Sequence, residues 1–236
     1  MFLTRQSEEH GEQIRFSILL GSLVIAVVIG PLLEQTQLGE IVQVTCLSLV
    51  FLAAVLVNWR SRVRFSVVGT AALVGLSLHW ASLVFTGSEV SIARFVGGFL
   101  FLALTASLLM RSIIVEHQAT PNAILGSICI YLIMGLMWAL GYEALTYMEA
   151  EPFAYPKAIA GEEAMPRQNL ATLLYFSFVT MSTLGYGDIT PQTDLSRTLT
   201  WTQSVTGQFY LAVLVARLVS VLPQSSQRES TEVEAK

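Results

Sequence analysis

The segment Thr183-Leu184-Gly185-Tyr186-Gly187 is the part of the sequence most suited to bind a ligand through its backbone. In it, two glycines alternate with larger residues directly after a short apolar run. Glycine reaches positive φ without steric penalty, so Gly185 and Gly187 allow consecutive carbonyl oxygens to turn toward the same side. A row of carbonyl oxygens can replace the water shell of a cation. One chain supplies one row, and several rows around a rotation axis are needed to surround an ion. The segment therefore predicts a cation site at the centre of a cyclic oligomer.

The composition predicts a membrane protein. Of the 236 residues 53% are apolar and 13% are charged, whereas about 25% are charged in soluble domains. The formal charge of -4 and the lack of a Lys/Arg-rich block argue against binding of nucleic acid. Cys46 and Cys129 are too few for a metal site. The sequence has no recognisable nucleophile and base pair, metal cluster or phosphate-binding loop, so an enzyme is not expected.

Six stretches are long enough to cross a hydrocarbon core as helices, which takes about 20 apolar residues. They cover approximately residues 14–33, 41–59, 65–87, 92–110, 122–147 and 197–222. The apolar run from Leu170 to Met181 is shorter, and it fits a re-entrant helix better than a span. The predicted fold is an all-α membrane protein with six transmembrane helices, a re-entrant pore helix and a filter loop.

Charge in the loops predicts the orientation. Arg60, Arg62 and Arg64 stand between the second and third spans, which places that loop inside. Six crossings then put both termini in the cytoplasm of a multi-pass plasma-membrane protein. The longest outer stretch, about residues 143–169, is predicted to form an acidic rim that raises the local cation concentration. Its charged residues are Glu143, Glu149, Glu151, Glu162 and Glu163, with Lys157 and Arg167.

The segment from Thr183 to Asp188 reads TLGYGD, with Thr180 before it and Pro191 after it, between two predicted spans. This pattern resembles the selectivity-filter signature of potassium channels, with Leu184 where valine is commoner. The motif resemblance covers about residues 170–216. For the four preceding spans, the similarity to the six-segment class with a single pore loop rests on their number and order. The resemblance implies a homotetramer in a lipid bilayer that binds K⁺ and needs no other cofactor.

Carried over by position, the resemblance implies that K⁺ binds the carbonyl oxygens of Thr183, Leu184, Gly185 and Tyr186, together with the Thr183 hydroxyl. Gly187 completes the filter loop and Asp188 stands at the outer mouth. The C-terminal end of the short helix would face the central cavity, where its partial negative charge favours a cation.

Four residues of the short helix are expected to support the filter: Tyr175, Phe176, Val179 and Thr180. Tyr175 and Phe176 stand where many similar channels have paired tryptophans, so a donor toward the filter tyrosine is expected to be missing. Val179 stands where some have a glutamate, which removes a partner for Asp188.

The predicted domains are a cytoplasmic tail (1–13), a four-helix domain similar to a voltage sensor (14–117), a pore domain (118–222) and a second cytoplasmic tail (223–236). Voltage-sensing relatives carry basic residues at every third position of the fourth span. Starting from Arg94, these positions hold Gly97, Leu100, Ala103, Ala106 and Leu109. Gating work is about 2.3 kcal/mol per charge per 100 mV, so this helix predicts weak voltage dependence at most.

Several alternatives remain open. Gly207 follows Gly187 by 20 residues, and it is either a gating hinge or a glycine that permits close helix packing. His79 is a proton sensor if it faces a wet crevice, and otherwise a packed neutral histidine. The protein as a whole is predicted to conduct potassium selectively, with an unknown modulatory ligand as a further partner. A nonselective cation channel and a modulatory subunit that conducts poorly alone are the alternatives.

Overall fold

The computed structural model describes residues 2–33, 39–59, 61–85, 87–115, 121–155 and 169–221. These residues are mostly helical, in agreement with the predicted all-α class. The helices are α1 (Phe2–Val24), a π-helical segment (Ile25–Ile29), α2 (Gly30–Leu33), α3 (Gly39–Val57), α4 (Arg62–Ala81), α5 (Ser88–Val115), α6 (Pro121–Met148), α7 (Leu170–Met181) and α8 (Asp194–Val221). Two short strands, β1 (Phe153–Ala154) and β2 (Thr190–Pro191), pair antiparallel.

Four helical stretches in the described part of the chain are long and apolar enough to cross a membrane. They are Gly11–Leu33, Arg62–Ala81, Glu89–Ile114 and Asn122–Met148. The helix predicted as the second span is apolar but shorter, as is α7. The helix predicted as the sixth span, α8, is 28 residues long, but threonine and glutamine residues interrupt its apolar sequence. The structure thus supports a membrane protein, and the count of six spans stays a prediction.

The first helix begins earlier than the apolar sequence suggests and changes its pitch before it ends. It starts at Phe2 rather than near residue 14. Near its other end the N–H of Gly30 donates to the carbonyl of Ile25, a wider turn than in an α-helix. Pro31 follows and has no N–H to donate, which accounts for the irregular ladder at this point. Gly30 and Pro31 border a small cavity with Leu170 and Leu174 of α7.

The helices of the predicted four-helix domain pack on α6 of the same chain through α1 and α5. Both α1 and α5 contact α6, while α3 lies against α1 and α4. A single hydrophobic core continues from Leu23 of α1 through Phe51 of α3 and Phe101 of α5 to Leu136 of α6. This arrangement leaves α7 and α8 at the edge of the chain, where α7 packs on α6 and α8 packs on α7.

Candidate ion-binding site

The helix α7 occupies the predicted range and is fixed at both ends. At its start the side chain of Asn169 accepts a hydrogen bond from the N–H of Thr172 at 3.1 Å, a normal N-terminal cap. At its end the chain turns into the predicted filter loop. The N–H of Ser182 donates to the Phe178 carbonyl at 2.9 Å, and that of Thr183 donates to the Thr180 carbonyl at 3.1 Å. The loop is therefore tied to the negative end of the α7 dipole.

The backbone of the loop alternates in conformation. Thr183, Gly185 and Gly187 have positive φ values of 59°, 55° and 75°, while Leu184 and Tyr186 between them do not. A side chain at Gly185 or Gly187 would be strained at these angles, although it would have open space around it. Glycine accepts such angles without cost, as the sequence pattern suggested. Thr183 accepts them at a cost, which is typical of residues at functional sites.

The hydrogen bonds of the loop determine where its carbonyl oxygens point. The N–H groups of Leu184 and Gly185 both donate to the Val179 carbonyl, at 3.0 and 3.3 Å. In a trans peptide the N–H and C=O groups point in opposite directions, and no described peptide bond is cis. The carbonyl oxygens of Thr183 and Leu184 therefore both point away from α7. This produces the start of a carbonyl row on one side of the loop.

The loop is exposed in a single chain. Residues 182–187 are all exposed, with Leu184 at 54% and Tyr186 at 66% of their full accessibility. The helix α8 behaves similarly, since a single stripe, marked by Ser196, Gln203 and Gly207, is buried against its own chain. Its other faces carry exposed apolar side chains, among them Trp201, Val205, Phe209 and Val213. In a membrane protein, exposed apolar helix faces of this kind meet either lipid or another helix.

Asp188 closes the loop and has a partner that sequence reasoning missed. The hydroxyl of Tyr175 donates to its carboxylate at 2.6 Å, and the N–H of Ile189 donates to the other oxygen at 3.0 Å. The hydrogen bond from Tyr175 lowers the pKa of Asp188 below its usual range, so this carboxylate is ionised at neutral pH. The donor at Tyr175 is thus directed to Asp188 rather than to the filter tyrosine. Val179 contributes its backbone carbonyl instead of a side-chain acid.

A buried polar network behind α7 also escaped the sequence analysis. The hydroxyl of Ser177 donates to the carbonyl of Gly135 at 2.7 Å. The side-chain amide of Gln203 donates to the Ser177 hydroxyl at 2.7 Å and to its carbonyl at 3.1 Å. The hydroxyl of Tyr142 in turn donates to the Gln203 amide oxygen. Ser177, Gln203 and Tyr142 are all fully buried, so the network joins α6, α7 and α8 away from water.

Phe176 belongs to an aromatic cluster on the same side. Its ring centroid lies 5.2 Å from those of Tyr142 and Phe153. Since Phe153 lies in β1 and packs edge-on against Tyr142, the cluster connects the outer loop to the back of α7. Phe176 thus packs at the back of α7, and its role in supporting the filter stays a prediction.

Gly207 lies at the closest approach of α8 to the end of α7. A β-carbon built at Gly207 would lie 2.9 Å from the Met181 carbonyl oxygen, closer than packed atoms allow. This contact favours the packing role among the two alternatives for this glycine. The hinge stays a prediction, and replacement by alanine would disturb packing as well as flexibility.

The predicted acidic rim is wrong for Glu143. The helix α6 continues to Met148, so Glu143 lies inside it and is 5% exposed. Its carboxylate lies 3.8 Å from the guanidinium of Arg94, which also donates to the Ser82 hydroxyl at 3.4 Å. Glu149 accepts a hydrogen bond from Thr193. Glu151 is exposed. The other rim residues, Lys157, Glu162, Glu163 and Arg167, lie outside the described residues, as do Arg60 and the tail 223–236.

His79 lies in a dry environment. It is 2% exposed, neither of its ring nitrogens has a hydrogen-bond partner among the described residues, and its ring lies 6.4 Å from that of Phe51. A proton sensor requires access to water, so this position favours the packed neutral histidine.

Comparison with known proteins agrees with the geometry of this region. Residues 127–224 match the model of a family described as "Ion channel". The match supports an ion channel. It covers the channel domain from α6 through α7 and the loop to α8, and it points to transport rather than catalysis. No curated protein and no solved structure matches the chain.

Proposed function

We propose that the protein is a potassium-selective channel that conducts K⁺ passively across the plasma membrane as a homotetramer. The observation that carries the proposal is the tie of the Leu184 and Gly185 N–H groups to the Val179 carbonyl. It turns the carbonyl oxygens of Thr183 and Leu184 away from α7. In the proposed pore these oxygens, with those of Gly185 and Tyr186 and the Thr183 hydroxyl, replace the water shell of K⁺.

The exposed surface supports an oligomer. Leu184 and Tyr186 are more than half exposed in one chain, and α8 buries only one stripe. In the proposed assembly, the loops of several chains surround the axis, and the apolar faces of α8 pack against neighbouring chains or line the cavity. The number four is carried over from the resemblance of the TLGYGD segment to potassium channels.

Weak voltage dependence is part of the proposal. The helix α5 has no charged residue between Arg94 and Arg111. Arg94 is held by Glu143 and Ser82, and its guanidinium lies 4.1 Å from the ring centroid of Phe95. A charge fixed in this way contributes little to movement in the membrane field, because its departure would leave the buried carboxylate of Glu143 with less compensation. Both termini are proposed to lie in the cytoplasm.

Ion flux into proteoliposomes tests the proposal. Vesicles loaded with KCl and diluted into NaCl should accumulate a tracer cation, and vesicles loaded with NaCl and diluted into choline chloride should not. Gly185→Ala should reduce the flux strongly, because Gly185 has a φ of 55° that alanine rarely adopts. Gly69→Ala is the matched control, since its β-carbon meets open space and its φ is ordinary. Equal flux in Gly185→Ala and wild type would contradict the proposed filter.

A nonselective cation channel is the second candidate. It is favoured by Leu184 in the place where valine is commoner, and by the Tyr175 hydroxyl, which is directed to Asp188 instead of Tyr186. Accumulation of tracer in the sodium-loaded vesicles diluted into choline chloride, with little in the potassium-loaded vesicles diluted into NaCl, would identify this function, because a channel that passes both ions builds no potential between KCl and NaCl. A folded tetramer without flux, and with flux restored by a partner channel, would identify a modulatory subunit.

A further inference from the structure

A cavity of about 300 Å³ lies at one end of the four-helix domain, away from the filter loop. It is bordered by α1, α4, α5, α6 and the C-terminal end of α3. In the part of the chain that the structure describes, six polar or charged side chains line it: Glu12, Arg15, Asn58, Arg64, Ser112 and Asn122. The channel function proposed above makes no use of this cavity.

The lining residues share one depth in the membrane. Asn58 directly follows the end of α3, and Arg64 lies in the first turn of α4. Ser112 and Asn122 stand near the end of α5 and the start of α6. The cavity therefore lies at the boundary between hydrocarbon and water. The arginine-rich α3–α4 connection assigns this boundary to the cytoplasmic side.

The charge of the lining favours an anion. Among the described residues of the lining, two guanidinium groups, those of Arg15 and Arg64, stand against one carboxylate, that of Glu12. Arg15 is half-buried and Arg64 is exposed, so the positive charge extends from the interior to the entrance. Asn58 is 5% exposed, and its amide nitrogen donates to the Ala54 carbonyl at 2.9 Å. Guanidinium groups bind phosphate with paired hydrogen bonds.

We propose that this cavity binds the phosphate of an anionic phospholipid of the cytoplasmic leaflet. Basic pockets between helices at this depth suit such headgroups. The apolar part of the lining, which includes Phe16, Leu109 and Ile113, suits the carbon atoms next to the phosphate. A free phosphate ion would leave this part uncovered. Because the cavity touches both the four-helix domain and α6, a bound headgroup strengthens the contact between these two regions.

Binding of phosphatidylglycerol by the purified full chain tests the proposal, with native mass spectrometry as the measurement. Arg15→Gln and Arg64→Gln should each weaken binding about fivefold, as expected for loss of one arginine near a membrane surface. Arg64→Lys should retain most of the affinity, because lysine still supplies a charge to the phosphate. Arg62→Gln is the matched control. It is exposed in the same turn of α4 but does not line the cavity.

Three results would overturn the proposal. If Arg62→Gln weakens binding as much as Arg64→Gln, the attraction belongs to the surface and not to the cavity. If phosphatidylcholine binds as tightly as phosphatidylglycerol, the anionic charge is irrelevant. If inorganic phosphate displaces the lipid at equal concentration, the site recognises a soluble anion. Arg64 is exposed, so Arg64→Gln should fold normally, and unchanged thermal unfolding in phosphatidylcholine vesicles verifies this.

Discussion

The predicted four-helix domain (14–117) and the predicted pore domain (118–222) are held together by different kinds of contact. In the four-helix domain a hydrophobic core covers the helix faces that meet, and one buried ion pair, between Arg94 and Glu143, joins its helix α5 to α6. In the predicted pore domain, buried hydrogen bonds fix the back of α7, while the loop after α7 leaves Leu184 and Tyr186 exposed. The difference is that the four helices are joined mainly by apolar contacts within their own chain, whereas the loop after α7 has a surface that the described chain does not cover.

The largest expected effect comes from Arg94→Gln, which breaks the link between the two regions. Removal of the guanidinium leaves the carboxylate of Glu143 buried with less compensation, and we expect a loss of about 3 kcal/mol in the free energy of unfolding. The double variant Arg94→Met with Glu143→Leu should recover much of this loss. Thermal or denaturant unfolding in detergent measures the effect.

Arg111→Gln is the control, because Arg111 is exposed near the other end of α5. Its effect should stay within about 0.5 kcal/mol. If Arg94→Gln is equally mild, the ion pair does not hold the two regions together. Arg94→Gln also tests the account of gating. An unchanged slope of open probability against voltage in this variant would agree with a helix α5 that carries little gating charge.

Gln203→Leu tests the network behind the filter and should have the next largest effect. It leaves the hydroxyls of Tyr142 and Ser177 buried with one partner fewer each, at a cost of about 2 kcal/mol in the free energy of unfolding. We expect reduced flux as well, because α7 would lose its polar tie to α8. Ser204→Leu, a half-buried neighbour of Gln203, is a suitable control. Unchanged stability in Gln203→Leu would mean that the network is dispensable.

Tyr175→Phe should have the smallest effect, and we expect it in the pH dependence of the protein's stability. The Tyr175 hydroxyl lowers the pKa of Asp188, so this carboxylate contributes stability at neutral pH that is lost as the pH falls through its folded-state pKa. Without the hydroxyl, the pKa of Asp188 lies closer to its ordinary value, so the variant should be slightly less stable than wild type at neutral pH, and this difference should shrink as the pH falls through the folded-state pKa. Thermal unfolding of both proteins between about pH 3 and pH 7 measures the difference. Identical profiles for variant and wild type would contradict the hydrogen bond.

The sequence predicts well what depends on local pattern. The bounds of α7 follow from its apolar run between the Asn169 cap and the glycine-containing loop, and the positive φ at Gly185 and Gly187 follows from residue type. The contacts of Tyr175 with Asp188 and of Gln203 with Ser177 were missed, because they join residues 13 and 26 positions apart through tertiary packing.

The surroundings of Glu143 were less predictable for a related reason. This residue falls inside the predicted fifth span, 122–147, but its charge suggested the outer rim, and its burial in α6 depends on a partner charge on another helix, that of Arg94. Gln203 in the middle of an apolar helix, and Tyr175 about two helical turns before the predicted filter, were usable signals for the missed contacts.

The most direct test of the central proposal is the reversal potential of the purified protein in a planar bilayer, with potassium on one side and sodium on the other. Current should be recorded over a range of voltages. A reversal near the potassium equilibrium potential, with an open probability nearly independent of voltage, is the predicted result. A reversal near zero would contradict potassium selectivity, and steep activation with voltage would contradict the role assigned to α5.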